Sequence, residues 1–180
     1  MDRSAIPALY PISACVPSGT QCVTVLSTKQ GEIMLTVTDR QQITETLARQ
    51  AFAVDENQLD QLGEIFTPDA TYDMTRSGMG SFQGVEALRA AAGELFASGF
   101  APLSHFVTNV VISEIDKPES GSASAPATVS ASVRSKGLMI MHDGAVHGVV
   151  YDDTVALHGG RWLIASRVIT PVRAAAPHGD

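Results

Sequence analysis

The order of the periodic segments predicts an α+β domain, in which helices pack on one face of a curved, mostly antiparallel sheet. Apolar residues recur at helical spacing in the first half of the 180-residue chain, and strand-like runs fill the second half. Asp143-Gly144 and Gly159-Gly160 are short turn signals between these runs, which favour antiparallel hairpins. Helices followed by a four-stranded antiparallel block are typical of the α+β class.

Three helices are predicted. The first spans about 39–54, begins at Thr38 or Asp39 as N-cap, and has apolar residues at helical spacing, namely Ile43, Leu47, Ala51 and Val54. The second is a short helix over about 58–66, and the third spans about 84–97. These segments supply the helical layer of the domain.

Strands are predicted where polar and apolar residues alternate. The motif ATYDM gives a strand at 70–74, before a glycine-containing loop over 75–84. Four further strands are expected at about 104–115, 127–141, 145–157 and 161–170. The polar segment DKPESGSASAP connects the first two of these as a long loop.

Composition divides the chain into one domain and two flanks. Residues 1–36 mix Pro, Gly, Ser and Thr with short apolar pieces, which predicts a weakly structured N-terminal extension. Residues 37–172 contain the periodic segments and form the domain, and residues 173–180 are a C-terminal tail. Cys15 and Cys22 lie in the extension without a metal-ligand spacing. They could pair or remain free, and we interpret them as incidental.

Charge and hydropathy favour a small-molecule partner. A net charge of −7 and a pI near 5.1, without clusters of Lys and Arg, argue against binding to nucleic acid or to an anionic membrane, because phosphate groups require a basic patch. No apolar run approaches the roughly 20 residues that span a bilayer, and the N-terminus lacks the pattern of a signal peptide. We therefore expect a cytoplasmic protein with a small, apolar substrate.

Several common chemistries have no support in the sequence. It contains no GxGxxG after a strand, no P-loop, no GxSxG, no HExxH and no zinc-ligand spacing. We therefore expect neither a cofactor nor a metal ion. What remains is a small set of ionisable side chains in apolar surroundings: Asp55, Tyr72, Asp73, His105, His147, Tyr151 and Arg167.

Asp55 and His105 each have two interpretations. Asp55 lies on the inward side of the first helix, yet with Gln58 it also has the spacing of a capping box for the next helix. His105 shares a strand face with Val107 and Val111, where a lone histidine is most often a hydrogen-bonded core residue. Together the two suit proton transfer, since a carboxylate on one imidazole nitrogen fixes the tautomer of a general base.

The remaining candidates lie on later strands. His147 and Tyr151 share one face of the strand at 145–157, and Arg167 lies on an apolar face of the last strand. Arg167 has a structural alternative, which is an ion pair with Asp73 or Asp152. Each of these residues is therefore a candidate either for packing or for substrate contact.

Four segments resemble a known family: FAVDENQLDQLGEIFTPDATYDM at 52–74, GVEAL at 84–88, SHFVTN at 104–109 and YDDTVALHGGRWLIASRVI at 151–169. Over about 39–172 the chain is similar to the SnoaL-like branch of the nuclear transport factor 2 superfamily. The resemblance implies a conical α+β barrel, with three helices over a strongly curved sheet and one deep apolar pocket. It also implies a homodimer that associates through the sheet.

Within that superfamily the pattern is similar to those of scytalone dehydratase, the bile-acid dehydratases and the hexachlorocyclohexane dehydrochlorinases. These enzymes pair an Asp shortly before the second helix with a His at the start of a strand, and the matching positions here are Asp55 and His105. Asn109 matches the Asn that often follows this His. The dehydratases also have pocket tyrosines on the first helix and on the first strand. Here the first-strand tyrosine corresponds to Tyr72 or is replaced by Met74, and the first-helix tyrosine is replaced by an apolar residue, Val54 or a neighbour.

The resemblance implies a cofactor-independent lyase, most simply a dehydratase, that acts on a small, apolar, cyclic or polyketide-like substrate. In this reading His105, oriented by Asp55, removes a proton. The implied substrate-binding residues are Tyr72, Asn109, His147, Tyr151 and Arg167. A polyketide cyclase or isomerase with the same pair is one alternative, and a non-catalytic binding or assembly module is the other.

Overall fold

The computed structural model of the chain describes residues 27–28, 32–114 and 129–172. Within these ranges it has two α-helices, α1 (Val37–Asp55) and α2 (Val85–Ala97), and two 3₁₀ helices, Leu59–Glu64 and Thr75–Ser77. Its strands are β1 (Ser27–Thr28), β2 (Glu32–Ile33), β3 (Phe66–Asp73), β4 (Ser81–Gln83), β5 (Ser104–Glu114), β6 (Ser130–Ile140), β7 (Val146–His158) and β8 (Arg161–Pro171). The predicted α+β class is confirmed.

Six strands form one mixed sheet in the order β4-β3-β8-β7-β6-β5. Strands β5 to β8 pair antiparallel in sequence order, and β3 runs parallel to β8. The sheet is therefore mostly antiparallel, as expected. Cys15, Cys22 and the predicted loop over 116–126 lie outside the described residues. None of the described helices is long and apolar enough to cross a membrane.

Helix α1 begins two residues before its predicted start, because Thr36 is its N-cap in place of Thr38 or Asp39. Thr36 Oγ1 accepts a hydrogen bond from the Asp39 amide at 3.1 Å, and the Asp39 carboxylate accepts one from the Thr36 amide at 2.8 Å. This reciprocal pair is a capping box. Asp39 also accepts a hydrogen bond from Trp162 Nε1 at 2.9 Å, which ties the start of α1 to β8.

The region after α1 differs from the prediction. The second predicted helix is a six-residue 3₁₀ helix, and β3 begins at Phe66, ahead of the predicted strand. The pairing of β3 with β8 shifts register between Phe66 and Thr71, where Pro68 lacks a backbone donor. The predicted loop over 75–84 contains β4, which pairs with β3. Because β3 is interrupted, the alternation of polar and apolar residues in its first part is too short to predict a strand from the sequence.

Strand β5 contains a bulge that changes which residues face inward. Its pairing with β6 breaks before Val111, and Asn109 has a φ of 53°. Val110 and Ile112 consequently pack against the core, whereas Val111 is 62% exposed. The prediction that His105 and Val111 share a face is wrong, because the bulge adds one residue and reverses the alternation.

The core lies between the helices and the inner face of the sheet. Its largest cluster of buried side chains includes Ile43, Leu47, Phe66, Val133, Val155, Trp162 and Ile164. Helix α1 contacts both β5 and β8, which are separated by two strands. In a flat sheet these strands would lie about 14 Å apart, so the sheet bends toward the helix. The candidate site lies on this concave surface.

Candidate active site

A cavity of about 500 Å³ lies between α1, α2 and the concave face of the sheet. Most of its wall is apolar, with Phe66, Leu88 and Val149 among the lining side chains. Six polar side chains also line it, namely Gln50, Tyr72, Ser77, His105, His147 and Tyr151. An apolar cavity with a few polar groups is the usual form of a small-molecule site.

Asp55 and His105 are in direct contact at this cavity. Asp55 is the last residue of α1, and one of its carboxylate oxygens accepts a hydrogen bond from the His105 backbone amide at 2.7 Å. The other oxygen lies 2.5 Å from Nδ1 of the imidazole. Only 12% of the Asp55 side chain and 17% of the His105 side chain are exposed. One carboxylate thus holds both the start of β5 and the orientation of the ring.

The contact gives the two ring nitrogens of His105 different roles. An ionised carboxylate only accepts hydrogen bonds, so Nδ1 carries the proton that Asp55 receives. Nε2 then has a free lone pair, on a side chain that lines the cavity. An imidazole in this tautomer is able to act as a general base, and the carboxylate stabilises the imidazolium that forms when Nε2 takes a proton.

The capping role considered for Asp55 is not seen. The 3₁₀ helix after α1 has Gln58 as its N-cap and no side-chain capping hydrogen bond. Both Asp55 oxygens are directed to His105 instead. The carboxylate is therefore available to orient the imidazole.

His147 lies in the same cross-strand row as His105. Met139 on β6 pairs with His105 on β5 and with His147 on β7, and all three side chains line the cavity. Two strand spacings place the Cα atoms of the histidines about 10 Å apart. In the described part of the chain, no group of three or more His, Cys, Asp and Glu side chains is arranged to hold a metal ion.

Arg167 is fully buried and does not line the cavity, which corrects its prediction as a direct substrate contact. Its Nε and Nη2 donate to the two Asp153 oxygens at 2.7 and 2.9 Å. The predicted partners Asp73 and Asp152 are wrong, because Asp152 lies on the opposite face of β7 from Asp153 and Asp73 binds Thr75. Burial acts to lower the pKa of Arg167, but the Asp153 carboxylate outweighs it and raises that pKa, so the guanidinium stays charged.

Two tyrosines lie between Arg167 and the cavity. The guanidinium carbon is 4.3 Å from the centroid of the Tyr151 ring, a cation–π contact. Tyr72 is the direct partner of Arg167 in the pairing of β3 with β8. Burial raises the pKa of each tyrosine above the usual 10.0, although the charge of Arg167 acts to lower it. Both hydroxyl groups therefore keep their protons at neutral pH.

Sequence reasoning missed Gln50 and Asp153. Gln50 Oε1 accepts a hydrogen bond from Arg167 Nη1 at 2.6 Å, and its side chain also lines the cavity. The available signal was a polar residue within the apolar stripe of α1, three residues after Leu47. Asp153 lies two residues after Tyr151 and shares the inward face of β7. In the sequence, only the choice of which alternate residues face inward distinguishes Asp153 from Asp152.

Asn109 does not line the cavity. It is exposed in the β5 bulge, where its φ is positive and Thr108 Oγ1 donates to its side-chain oxygen at 3.1 Å. Asn adopts the left-handed region more readily than most residues. Its role is therefore in the backbone of the bulge, which corrects the predicted substrate contact.

Comparison with known proteins gives a family match over most of the chain. A family model described as SnoaL-like domain matches residues 35–168, which run from the N-cap of α1 into β8. No curated protein matches the sequence.

Several solved structures have the same fold. A protein of unknown function with a cystatin-like fold from Nostoc punctiforme PCC 73102 is 18% identical; the match covers 78% of this chain and 96% of that chain, with a TM-score of 0.61. A protein provisionally described as a scytalone dehydratase, from Novosphingobium aromaticivorans DSM 12444, is 21% identical over 80% of this chain and 95% of that chain, with a TM-score of 0.60. The β subunit of a provisionally described aromatic-ring-hydroxylating dioxygenase from the same organism is 16% identical over 77% and 93%, with a TM-score of 0.55. At these identities the likeness shows the fold.

Proposed function

The chain belongs to the SnoaL-like family, and on this premise we propose that it is a cofactor-independent lyase, most simply a dehydratase. Its substrate is a small, apolar, cyclic or polyketide-like molecule with a carbonyl and a hydroxyl group. The observation that carries the proposal is the Asp55 carboxylate on Nδ1 of an imidazole, His105, that lines an apolar cavity. The family match supports a small-molecule scaffold of this kind.

In the proposed reaction, His105 Nε2 removes a proton from the carbon next to the substrate carbonyl. The electron pair of the broken C–H bond forms a carbon–carbon double bond, and the neighbouring C–O bond breaks. The departing hydroxide takes the proton from the His105 imidazolium and leaves as water, which restores the base. Asp55 stabilises the imidazolium, and the hydroxyl groups of Tyr72 and Tyr151 donate hydrogen bonds as charge develops on the carbonyl oxygen.

The test is water loss from small cyclic β-hydroxy ketones, followed by NMR in D₂O so that exchange of the α-proton is also seen. His105→Ala and Asp55→Asn should each lower the rate by on the order of 10²-fold or more. His158→Ala is the matched control, since this histidine is exposed and outside the cavity, and it should keep the wild-type rate. Unchanged turnover in both His105→Ala and Asp55→Asn contradicts the proposal.

A cyclase or isomerase with the same pair is the second candidate, because α-proton abstraction gives an enolate in all of these reactions. Val54, near the end of α1, lines the cavity with an apolar side chain. The dehydratases have a tyrosine at or near this position, so its absence favours a cyclase or isomerase over a standard dehydratase. Exchange of the α-proton without loss of water would select it. If the ketones bind but their α-protons do not exchange, the result favours a non-catalytic binding module.

We further propose that the curved sheet forms a conical barrel and that two copies associate through its outer face. Phe106 and Leu138 are direct partners on β5 and β6, and they are 53% and 44% exposed. Adjacent exposed apolar side chains of this kind favour association. Light scattering should give twice the 18.9 kDa chain mass for the wild type and a monomer for Phe106→Asp; a monomeric wild type contradicts this arrangement.

A further inference from the structure

The ring of Tyr151 is held by the backbone of Gly137 and by Arg167. Tyr151 pairs with Ser135 on β6, but its ring lies over Gly137, two residues further along that strand. This displacement is toward Met139, the β6 partner of His105. A Cβ atom at Gly137 would lie 2.7 Å from both Cζ and the hydroxyl oxygen of Tyr151, closer than real Cβ contacts. The guanidinium of Arg167 stacks on the same ring. Any side chain at position 137 would therefore displace the tyrosine.

The hydroxyl group of Tyr151 has no hydrogen-bond partner among residues 32–114 and 129–172. The residue is only 3% exposed, and it lines the cavity. In the described residues, the enclosed side-chain atoms without a partner are Thr67 Oγ1 and Ser135 Oγ, so the Tyr151 hydroxyl is open to the cavity that its side chain lines. It is therefore able to donate a hydrogen bond to a molecule in the cavity.

The described residues that line the cavity give a ligand no permanently charged cation as a counter-ion. Two donors of Arg167 bind Asp153, so the charges of this buried pair cancel. No Lys or Arg is among the described residues that line the cavity, whereas Asp55 places a carboxylate next to it. An anionic ligand would lose its hydration without gaining an Arg or Lys counter-ion. An uncharged oxygen loses much less and gains a tyrosine donor.

We propose that Tyr151 binds the substrate oxygen, that Gly137 and Arg167 are positioning residues for its ring, and that the site accepts an uncharged carbonyl or hydroxyl oxygen and rejects carboxylates. This inference deepens the proposed function and rests on it in one respect, because it assumes that the substrate occupies this cavity. It adds the charge class of the substrate. It also makes Gly137, a residue without a side chain, a determinant of the site.

Three ligands of similar shape test the charge class: acetophenone, benzoate and ethylbenzene. In titrations followed by protein NMR at neutral pH, benzoate should bind at least about tenfold more weakly than acetophenone. Tyr151→Phe should lower the affinity for acetophenone about fivefold, the effect of one hydrogen bond, and leave that for ethylbenzene unchanged. Benzoate binding as tightly as acetophenone, or an unchanged acetophenone affinity in Tyr151→Phe, overturns the proposal.

Thermal unfolding separates a ligand-binding hydroxyl from a structural one. Tyr151→Phe removes a hydroxyl group that has no partner in the described chain, so the Tm of this variant should equal or exceed that of the wild type. A Tm lower by several degrees would show that the hydroxyl serves the fold, and this result overturns the assignment.

Gly137→Ala tests the positioning role, and Gly63→Ala is its control because a Cβ at Gly63 meets nothing within 4 Å. Gly137→Ala should weaken acetophenone binding at least as much as Tyr151→Phe does, and Gly63→Ala should leave it unchanged. If Gly137→Ala does not fold, Gly137→Ala/Tyr151→Leu should fold, since leucine lacks the clashing ring atoms. Wild-type acetophenone affinity in Gly137→Ala, or an unfolded double variant, contradicts the positioning role.

The two proposals fail in different experiments. His105→Ala should lose turnover but keep the Tyr151-dependent binding of acetophenone. If the wild type binds benzoate as tightly as acetophenone but still catalyses water loss, the result counts against the proposed charge class of the substrate alone. Normal turnover in His105→Ala, together with Tyr151-dependent binding, counts against the proposed base alone.

Discussion

The carboxylate of Asp55 accepts two hydrogen bonds from His105, one from the backbone amide at 2.7 Å and one from Nδ1 at 2.5 Å. The first fixes where β5 begins relative to α1, and the second fixes the orientation of the imidazole. The fold and the proposed chemistry therefore depend on the same side chain at this point. Substitutions that preserve one hydrogen bond and not the other separate the two effects.

Asp55→Asn and Asp55→Ala should differ in stability while both lose the proposed activity. Asparagine keeps a carbonyl oxygen that accepts from the His105 amide, so its free energy of unfolding should stay within about 1 kcal/mol of the wild type. Alanine leaves that amide without its partner, which should cost about 1–3 kcal/mol. Urea unfolding followed by the fluorescence of the single tryptophan, Trp162, measures both. Equal stability of the two variants would count against this role of the carboxylate.

The buried pair of Arg167 and Asp153 should behave differently from an exposed pair on neighbouring strands. Arg167→Met leaves Asp153 as an uncompensated buried charge, which should cost about 3–5 kcal/mol, and Asp153→Leu added to it should recover much of the loss. Arg134→Met breaks a pair with Asp152 whose side chains are 71% and 42% exposed, and it should cost less than about 1 kcal/mol. Denaturant unfolding of the four proteins tests this ordering, and similar losses from both single variants would refute it.

Stability should fall as the pH rises above 10. The pKa values of Tyr72 and Tyr151 are raised by burial above 10.0, so the folded protein keeps these protons at a pH where the unfolded chain loses them. The unfolded state then binds fewer protons, and the free energy of unfolding decreases with rising pH. Thermal unfolding from about pH 8 to 11 should show a shallower fall for Tyr151→Phe than for the wild type. Parallel curves would contradict the burial of this hydroxyl group.

Asp39 should stabilise the protein at neutral pH and lose that effect in acid. Burial acts to raise its pKa, but hydrogen bonds from Thr36 and Trp162 outweigh this and lower it below 3.8. Its contribution is therefore complete above pH 3.8 and is lost as the pH falls through the lower folded value. Asp39→Ala should cost about 1–2 kcal/mol at neutral pH, and the difference from the wild type should shrink below pH 3.8. Asp69→Ala, at an exposed position on β3, is the control and should change the free energy of unfolding at neutral pH by less than about 0.5 kcal/mol.

Asn109 should tolerate glycine and reject valine. Its φ of 53° lies in the left-handed region, where a β-branched side chain is strained by about 1–3 kcal/mol. Asn109→Gly should keep both stability and ketone binding, because the residue lies outside the cavity. Thermal unfolding and the acetophenone titration check the two statements. Loss of ligand binding in a stable Asn109→Gly protein would restore the predicted substrate contact.

The sequence patterns predicted the long elements well because their periods are local. The repeat that includes Ile43 and Leu47 marks α1, and the turn glycines separate the strands of the antiparallel block. The bulge at Asn109 was not predictable, since one extra residue changes the pairing with β6 without changing the local alternation. The same holds for β3, whose early part is interrupted at Pro68.

The site was predictable only in part. The combination of Asp55 and His105 followed from residue type and family resemblance, but their contact depends on how the end of α1 meets β5, fifty residues later. The partner of Arg167 was assigned one residue away, because only the phase of β7 decides which aspartate faces inward. Gly137 carries no chemical signal in the sequence, and its importance arises from the ring that lies over it.

The most direct test of the proposed base is the tautomer of His105, read from the ¹⁵N chemical shifts of its ring at about pH 8. The structure predicts a protonated Nδ1, with its proton shifted far downfield by the hydrogen bond to Asp55, and an unprotonated Nε2. In Asp55→Asn the downfield signal should disappear, and the Nε2-protonated tautomer should take its place. A wild-type ring protonated on Nε2, or a tautomer that Asp55→Asn does not change, would contradict the account.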